Sequence, residues 1–215
     1  MNQKKRLIGT ATAVIVIAGT VTSAVLVNQH NETPAAQAVE TQEGQVAGVA
    51  AADPQTGMKV YVDSESQVVK ELGEAGKLTV EGQKEPSFKI TINKVQVLKS
   101  CTLRGFGETI KPENGSFLLL DVSATLAASA ADAVDADVAL MPLDASAFGV
   151  SAGENKNVSY QLDTIASYSC EVPNALDIAV GAGDTVHGQL MLDSPFDSGQ
   201  VVYDPEKTGG WTWSY

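Results

Sequence analysis

Basic residues are scarce in this chain of 215 residues, which carries 14 Lys and Arg against 26 Asp and Glu and has a formal net charge of −12. A surface this acidic repels phosphate backbones and anionic lipid headgroups. The charge therefore argues against nucleic acid as a partner, and it makes the inner surface of a membrane a poor location.

One long, mostly apolar run is present at residues 7–27, directly after a basic cluster at residues 4–6. Such a cluster stays on the cytoplasmic side of a membrane, and about 20 apolar residues cross it as one helix. Residues 1–28 are therefore predicted to be a transmembrane anchor, or a signal peptide cleaved after the small residues 22–24. A buried soluble helix is the minor alternative. The rest of the chain is expected outside the cytoplasm, anchored by residues 7–27 or secreted.

Cysteine is rare, and both copies, Cys101 and Cys170, lie in the part that is expected to be exported. In an oxidising compartment an even pair is most simply a disulfide, which would stabilise the fold by roughly 4 kcal/mol. The alternative is a thiol that binds metal or acts as a nucleophile. No histidine or third thiol stands at a recognised ligand spacing from either cysteine, which favours the disulfide.

Residues 29–57 are rich in Ala, Gln, Glu, Gly and Pro and have no apolar periodicity. Such a segment does not bury enough apolar area to offset its ordering entropy, so a flexible, disordered linker is predicted. Residues 58–74 form a lead-in of uncertain structure. Within it, residues 58–62 alternate like a short strand, whereas residues 68–72 fit one turn of helix.

From residue 75 to residue 215 the pattern is that of a sheet protein. Residues 88–92 alternate between apolar and polar side chains, and the phase slips by one at residues 93–94, which predicts a β-bulge. Residues 117–126 place five apolar side chains on one face and further apolar side chains on the other. This second strand is therefore predicted to be central in its sheet.

The remaining segments extend the same pattern. Residues 127–139 are rich in Ala and Asp but lack a helical apolar stripe, so they are predicted to be a strand end, a turn around residues 132–135 and the start of another strand. Residues 186–193 alternate cleanly, and short strands follow at residues 201–203 and 211–215. Many short strands without a helix of three turns predict an all-β fold, a sandwich of two sheets.

Three segments carry a resemblance to a known family: FKITI with VQV (residues 88–97), GSFLLLDV (residues 115–122) and AGDTVHGQLMLDSP (residues 182–195). In these segments the chain resembles the bacterial DUF4352 family of exported or lipid-anchored domains, over roughly residues 75–215. The chain departs from the family pattern at Ala182, where members have proline, and at Leu192, where they have phenylalanine. The resemblance implies the immunoglobulin-like fold of the mycobacterial MPT63/MPB63 antigens, and it implies no catalytic residue.

One motif suggests catalysis. Residues 149–153 match the G-x-S-x-G spelling of a hydrolase nucleophile elbow around Ser151, and Asp163 or Asp177 and then His187 follow in hydrolase order. An elbow stands between a strand and a helix, whereas a solvated loop follows here. An envelope serine hydrolase that uses Ser151 and His187 is therefore an alternative, and a glycine-containing hairpin loop is the expectation.

Two patterns suggest metals, and each has a simpler interpretation. His187 and Met191 share one face of a strand, as copper ligands can, but a surface histidine beside a packing methionine explains the pair. A solvated acidic turn explains the aspartates without the spacing of an EF-hand loop. Candidate calcium ligands in that turn are Asp132, Asp135, Asp137 and Asp144.

The last strand offers the remaining candidate site. Trp211, Trp213 and Tyr215 lie on one face, where they either pack into the core or form an exposed binding strip. We expect a non-enzymatic, extracytoplasmic immunoglobulin-like module that binds a protein or glycan at the cell envelope, without cofactor or metal. It contacts the membrane through residues 7–27 if these are not cleaved. A purely structural spacer is the alternative to a binding module.

Overall fold

The computed structural model describes residues 49–52, 59–62, 67–79, 83–132, 139–154 and 156–215. All of them belong to one compact unit, Gly44–Tyr215. The expected signal or anchor lies outside the described residues. Within the described part, no helix has the length and apolar character needed to cross a membrane.

The described chain is almost entirely β-structure, with one short α-helix, α1 (Ile165–Ser169), and single 3-10 turns at Ala128–Asp132 and Ala145–Ala147. The strands are β1 (Val49–Ala52), β2 (Lys59–Val62), β3 (Val68–Lys70), β4 (Ala75–Leu78), β5 (Phe88–Leu98), β6 (Cys101–Thr102), β7 (Thr109–Ile110), β8 (Ser116–Leu126), β9 (Leu140–Pro142), β10 (Phe148–Ser151), β11 (Ala179–Gly181), β12 (Thr185–Ser194), β13 (Gln200–Tyr203) and β14 (Trp211–Ser214).

These strands form two main sheets. One has six strands in the order β1-β2-β3-β14-β13-β10, and the other has four in the order β12-β8-β5-β4. Two short ribbons, β11-β9 and β6-β7, complete the fold. The pairing is antiparallel throughout, except that β3 runs parallel to β14.

Strand β8 is central in the four-stranded sheet, as its sequence predicts. It pairs with β12 on one side and β5 on the other along nearly its whole length. Leu118, Leu120 and Val122 are completely buried on its inner face. The predicted bulge is confirmed too, because the register of β5 against β8 shifts between Ile92 and Lys94.

The main hydrophobic core lies between the two large sheets, which confirms the all-β sandwich. The four-stranded sheet contributes Phe88, Ile90 and the inner face of β8, and the six-stranded sheet contributes Tyr203 and Trp213. Tyr203 also donates its hydroxyl to the carbonyl oxygen of Pro142 at 2.9 Å. The rings of Tyr203 and Trp213 therefore pack in the same core as the side chains of the four-stranded sheet.

A second, smaller cluster lies on the outer face of the four-stranded sheet. Phe117 of β8 and Met191 of β12 point outward and are buried with Cys170. Side chains of the β6-β7 ribbon and of α1 pack over them. This end of the sheet is therefore covered on both faces, which explains why β8 carries apolar residues on both.

Three segments differ from the sequence-based expectation. Residues 68–70 are a strand, not a helical turn, because β14 supplies a parallel partner for a segment too short to show periodicity. Val49–Ala52 lies inside the expected linker but pairs with Lys59–Val62 as a strand. Its regular structure comes from hydrogen bonds between the two strands and not from an apolar pattern. After Leu126 a 3-10 turn occupies Ala128–Asp132, and residues 133–138 lie outside the described part.

Candidate functional site

The predicted disulfide is present and ties two surface elements together. Cys101 of β6 and Cys170, at the end of α1, are bonded with an S–S distance of 1.98 Å and a Cα–Cα distance of 5.7 Å. Backbone hydrogen bonds run beside it, from the Arg104 amide to the Ser169 carbonyl and from the Glu171 amide to the Thr102 carbonyl. The β6-β7 ribbon and the helix therefore form one crosslinked layer over the sheet.

Arg104 holds the end of this helix. Its guanidinium donates to the carbonyl oxygens of Tyr168 and Cys170, both at 3.2 Å. The same group lies 5.7 Å from the centroid of the Tyr168 ring, within the range of a cation–π contact. The arginine thus orients a tyrosine whose side chain is otherwise in solvent.

A buried carboxylate holds the start of the helix. Thr164 is the N-cap of α1, accepts a hydrogen bond from the Ser167 amide and donates its hydroxyl to Asp193 at 2.7 Å. Asp193 is completely buried on β12, and it also accepts from the backbone amides of Glu113 and Asn114. Both ends of α1 are therefore fixed to the sandwich.

A cavity of about 310 Å³ opens beside this helix, next to β12. Its walls are mostly apolar, with two carboxylates, the guanidinium of Arg104 and a few other polar side chains among them. The segments that meet there are the β6-β7 ribbon, the 3-10 turn after β9, α1, the connection from α1 to β11, and β12. The principal lining residues are Leu143, Asp144, Asp163, Val172, Leu176 and Met191.

The rim of this cavity exposes large apolar side chains. Tyr168 and Ile178 line the opening and are 80% and 77% exposed. Ile165 lies one helical turn before Tyr168 and is 82% exposed. A cluster of this kind around a cavity is typical of an interaction site, whereas single exposed apolar residues need no explanation. We call Ile165, Tyr168 and Ile178 the apolar rim.

The acidic groups of the cavity have no cationic partner in the described part of the chain. The ion pairs found there are Lys70–Glu74, Lys99–Asp197 and His187–Asp121, and none involves Asp144 or Asp163. Asp144 accepts a hydrogen bond from the Ser146 amide at the start of its 3-10 turn. The cavity therefore combines apolar walls with two carboxylates, whose charge exceeds that of Arg104, the one cationic side chain in the lining.

The aromatic last strand does not form an exposed strip. Trp213 is completely buried, and its indole nitrogen donates to the carbonyl oxygen of Glu74 at 2.9 Å. Trp211 and Tyr215 are half-buried against the same core. A Cβ atom at Gly76 would lie 2.6 Å from the Trp211 ring, so the absence of a side chain there lets the ring pack. Of the two alternatives for the last strand, packing into the core is therefore the one that the structure shows.

Ser151 and His187 are placed on different sheets. Ser151 is buried in β10, and its hydroxyl donates to the carbonyl oxygen of Gly153 and to the side-chain oxygen of Gln200. The chain then returns so that Ser159 pairs with Val150, as the glycine-containing hairpin loop predicted. Among the described residues no helix begins directly after Ser151, and the two side chains do not form a nucleophile–base pair.

His187 instead pairs with a carboxylate on the exposed face of the four-stranded sheet. Its Nε2 atom lies 2.9 Å from Asp121. Burial opposes ionisation of Asp121, but hydrogen bonds from Asn93 and His187 and the positive charges of His187 and Lys94 outweigh it, so the pKa of Asp121 lies below its ordinary value. Met191 shares this strand face but is buried in the outer cluster.

The described residues also give no support for the acidic calcium site. Asp132 ends a 3-10 turn, Asp144 begins another, and Asp135 and Asp137 lie outside the described residues. Within the described ranges, no three His, Cys, Asp or Glu side chains are grouped closely enough to hold a metal.

Sequence reasoning missed the cavity and its rim. Ile165, Tyr168 and Ile178 belong to a stretch without alternation that lies between recognisable strands. The sequence does contain one indication of this site. Apolar side chains recur in this stretch among polar residues, but without the periodicity of a strand or helix that would place them in a core. Such residues in a loop close to a disulfide are candidates for an exposed site.

No protein-family model matches the chain, and no curated protein matches it. Two solved structures are similar to it. The crystal structure of MPT63, a secreted protein from Mycobacterium tuberculosis, has 10% identity and a TM-score of 0.39, with 69% of this chain and 98% of that chain covered. A conserved hypothetical protein from Bacillus anthracis has 18% identity and a TM-score of 0.33, with 60% and 88% covered. The resemblance to the DUF4352 family therefore stays an expectation.

Proposed function

We propose that this chain is an extracytoplasmic, non-catalytic binding module with an immunoglobulin-like sandwich, anchored by residues 7–27 or released after cleavage. It binds its partner at the cavity beside α1. The observation that carries the proposal is the apolar rim, in which Tyr168 and Ile178 line the opening and Ile165 lies one helical turn from Tyr168, all at least 77% exposed. Exposing such side chains to water is unfavourable, and burying them against a partner reverses that cost.

The fixed position of α1, which carries two residues of the apolar rim, also favours a binding function. The disulfide and Arg104 hold one end of α1, and Thr164 with Asp193 holds the other. A surface fixed before contact loses little conformational entropy on association. A spacer between membrane and environment has no need for such an arrangement.

The hydrolase alternative receives no support from the positions of Ser151 and His187, which hydrogen-bond to other residues on separate sheets. We therefore expect that Ser151→Ala does not change the hydrolysis of short-chain ester substrates by the full chain. Ester turnover that disappears in this variant would contradict the non-catalytic part of the proposal.

Site-specific photo-crosslinking tests the binding part. A photoreactive amino acid replaces Ile178 in the full chain produced in its own host, and the control carries it at Leu78. Leu78 is 46% exposed and lies on β4, at the opposite edge of the four-stranded sheet from β12. We expect a defined crosslinked product from position 178 that is absent from position 78.

Two results would contradict the proposal. Equal crosslinking from both positions would mean that the rim is no more a contact surface than the far edge of the sheet. Absence of any product from position 178, with the protein correctly oxidised, would favour the spacer alternative.

Added protease tests the location, because an extracytoplasmic module is accessible to protease in intact cells once any outer barrier is opened.

A further inference from the structure

The chemistry of the cavity narrows the class of partner, and this step rests on the proposed binding function. We infer that the occupant is a segment of another protein that inserts a bulky apolar side chain between lysine or arginine residues. The inference combines the volume of the cavity, the apolar surface around it and its unpaired carboxylates.

The volume fits one large side chain. At about 310 Å³ the cavity is at the lower end of the range of about 300–1,000 Å³ found for small-molecule pockets. Its walls include Leu143, Val172, Leu176 and Met191, which offer dispersion contacts but no hydrogen bonds. A sugar would leave the hydroxyl groups that face these apolar walls unpaired, which costs free energy. An aromatic or large aliphatic side chain carries no such cost.

The surrounding surface indicates a macromolecule. The apolar rim extends beyond the cavity. Phe106, two residues after the cavity-lining Arg104, is a further large apolar side chain in solvent and is 78% exposed. A small ligand seated in the cavity would leave much of this surface in water. A protein segment that crosses the opening covers the rim while its central side chain fills the cavity, in the manner of an interface anchor.

The charge selects a basic segment. Asp144 and Asp163 line the cavity without an ion-pair partner in the described part of the chain, against one cation in the lining, Arg104, which donates to backbone carbonyls. Exposed Asp177 lies directly before Ile178 on the rim. Carboxylates placed in this way attract lysine or arginine beside an apolar anchor. The net charge of −12 repels a second copy and an anionic membrane, which makes both weaker candidates.

Three labelled peptides test the inference against the full chain in nonionic detergent, by fluorescence anisotropy. The first has a central tryptophan between pairs of lysine in a Gly/Ser frame, the second has glutamate in place of lysine, and the third has alanine in place of tryptophan. We expect the first to bind with a Kd below about 1 mM. The other two are expected to bind at least about tenfold more weakly.

Protein variants locate the binding. Ile178→Ser is expected to weaken binding of the lysine–tryptophan peptide about tenfold or more, and Asp163→Asn is expected to weaken it about two- to fivefold. Raised salt should weaken it as well, because the attraction is between exposed charges. The control, Leu78→Ser on the opposite edge of the sheet, is expected to bind normally. All three positions are exposed, so these changes are expected to leave the fold intact.

The experiments distinguish a failure of the inference about the partner from a failure of the proposed binding function. If the glutamate peptide binds as well as the lysine peptide, or no peptide binds while position 178 still crosslinks to a partner, the inference about partner class is wrong and the binding function stands. Ile178-dependent self-association, or Ile178-dependent binding to anionic vesicles, would also overturn the inference. If no peptide binds and position 178 crosslinks to nothing, both proposals are wrong.

Discussion

Asp193 connects the central sheet to the layer that carries the cavity, and we predict that Asp193→Asn lowers the free energy of unfolding by about 2–4 kcal/mol. The carboxylate is completely buried and accepts three hydrogen bonds, from the Glu113 amide and the Thr164 hydroxyl at 2.7 Å and from the Asn114 amide at 3.0 Å. Asparagine has the same shape, so the substitution tests these bonds and not packing.

The magnitude follows from which atoms face the carboxylate. Oδ1 accepts from the backbone amide of Asn114, and Oδ2 accepts from that of Glu113. Whichever position the new NH₂ group takes, it meets a backbone N–H that then loses its acceptor. An unsatisfied donor of this kind costs about 1–3 kcal/mol, and the bonds that remain lose the strength added by the charge.

Urea unfolding of the full chain in nonionic detergent, followed by tryptophan fluorescence, measures this loss. Both tryptophans of the chain lie in β14 of the other sheet, so the signal reports unfolding of the whole sandwich. Asp177→Asn, at an exposed position, is the control for the change in charge and should stay within about 0.5 kcal/mol of the unmodified chain. A loss for Asp193→Asn no larger than that of the control would refute the reasoning.

Three further predictions follow from the same structure. Replacing both Cys101 and Cys170 by alanine should lower the free energy of unfolding by about 4 kcal/mol, because their sequence separation is 69 residues, and an unchanged urea midpoint would contradict this. Gly188→Ala should cost about 1–3 kcal/mol and lower the melting temperature, since its Cβ would lie 2.7 Å from backbone of the neighbouring loop. His187→Gln should raise the pKa of Asp121, measured by carboxyl NMR, because His187 contributes to the net lowering. The stability due to Asp121 is present at neutral pH and lost as the pH falls through its lowered pKa, so the variant should lose it at higher pH.

Long strands could be predicted from the sequence because burial on one face imposes a two-residue period over many positions. Strand β8 is the clearest case, with alternate side chains buried along its length. The bulge in β5 was readable for the same reason, since a phase slip is visible only against a regular pattern. Short strands such as β3 give no such signal, and only their pairing with distant residues determines their conformation.

The site could not be predicted because its parts are distant in sequence. The cavity brings Arg104, Asp144, Tyr168 and Ile178 together from four separate segments, and the disulfide and β12 determine their proximity. Periodicity reports which side chains face a core and carries no information about which loops meet. The terminal aromatics show the converse, because a large ring at an alternating position is equally compatible with a core and with a surface until its neighbours are known.

The position of β14 has a consequence for folding during synthesis. This strand is the last of the sandwich to be synthesised, yet it lies between β3 and β13 inside the six-stranded sheet and carries the fully buried Trp213. A nascent chain that has not reached Trp211 leaves a gap inside one layer, and β3 and β13 each lack one of their two partner strands. Stable closure of the sandwich therefore waits until β14 has been synthesised, and the strands made before it stay without a complete core until then.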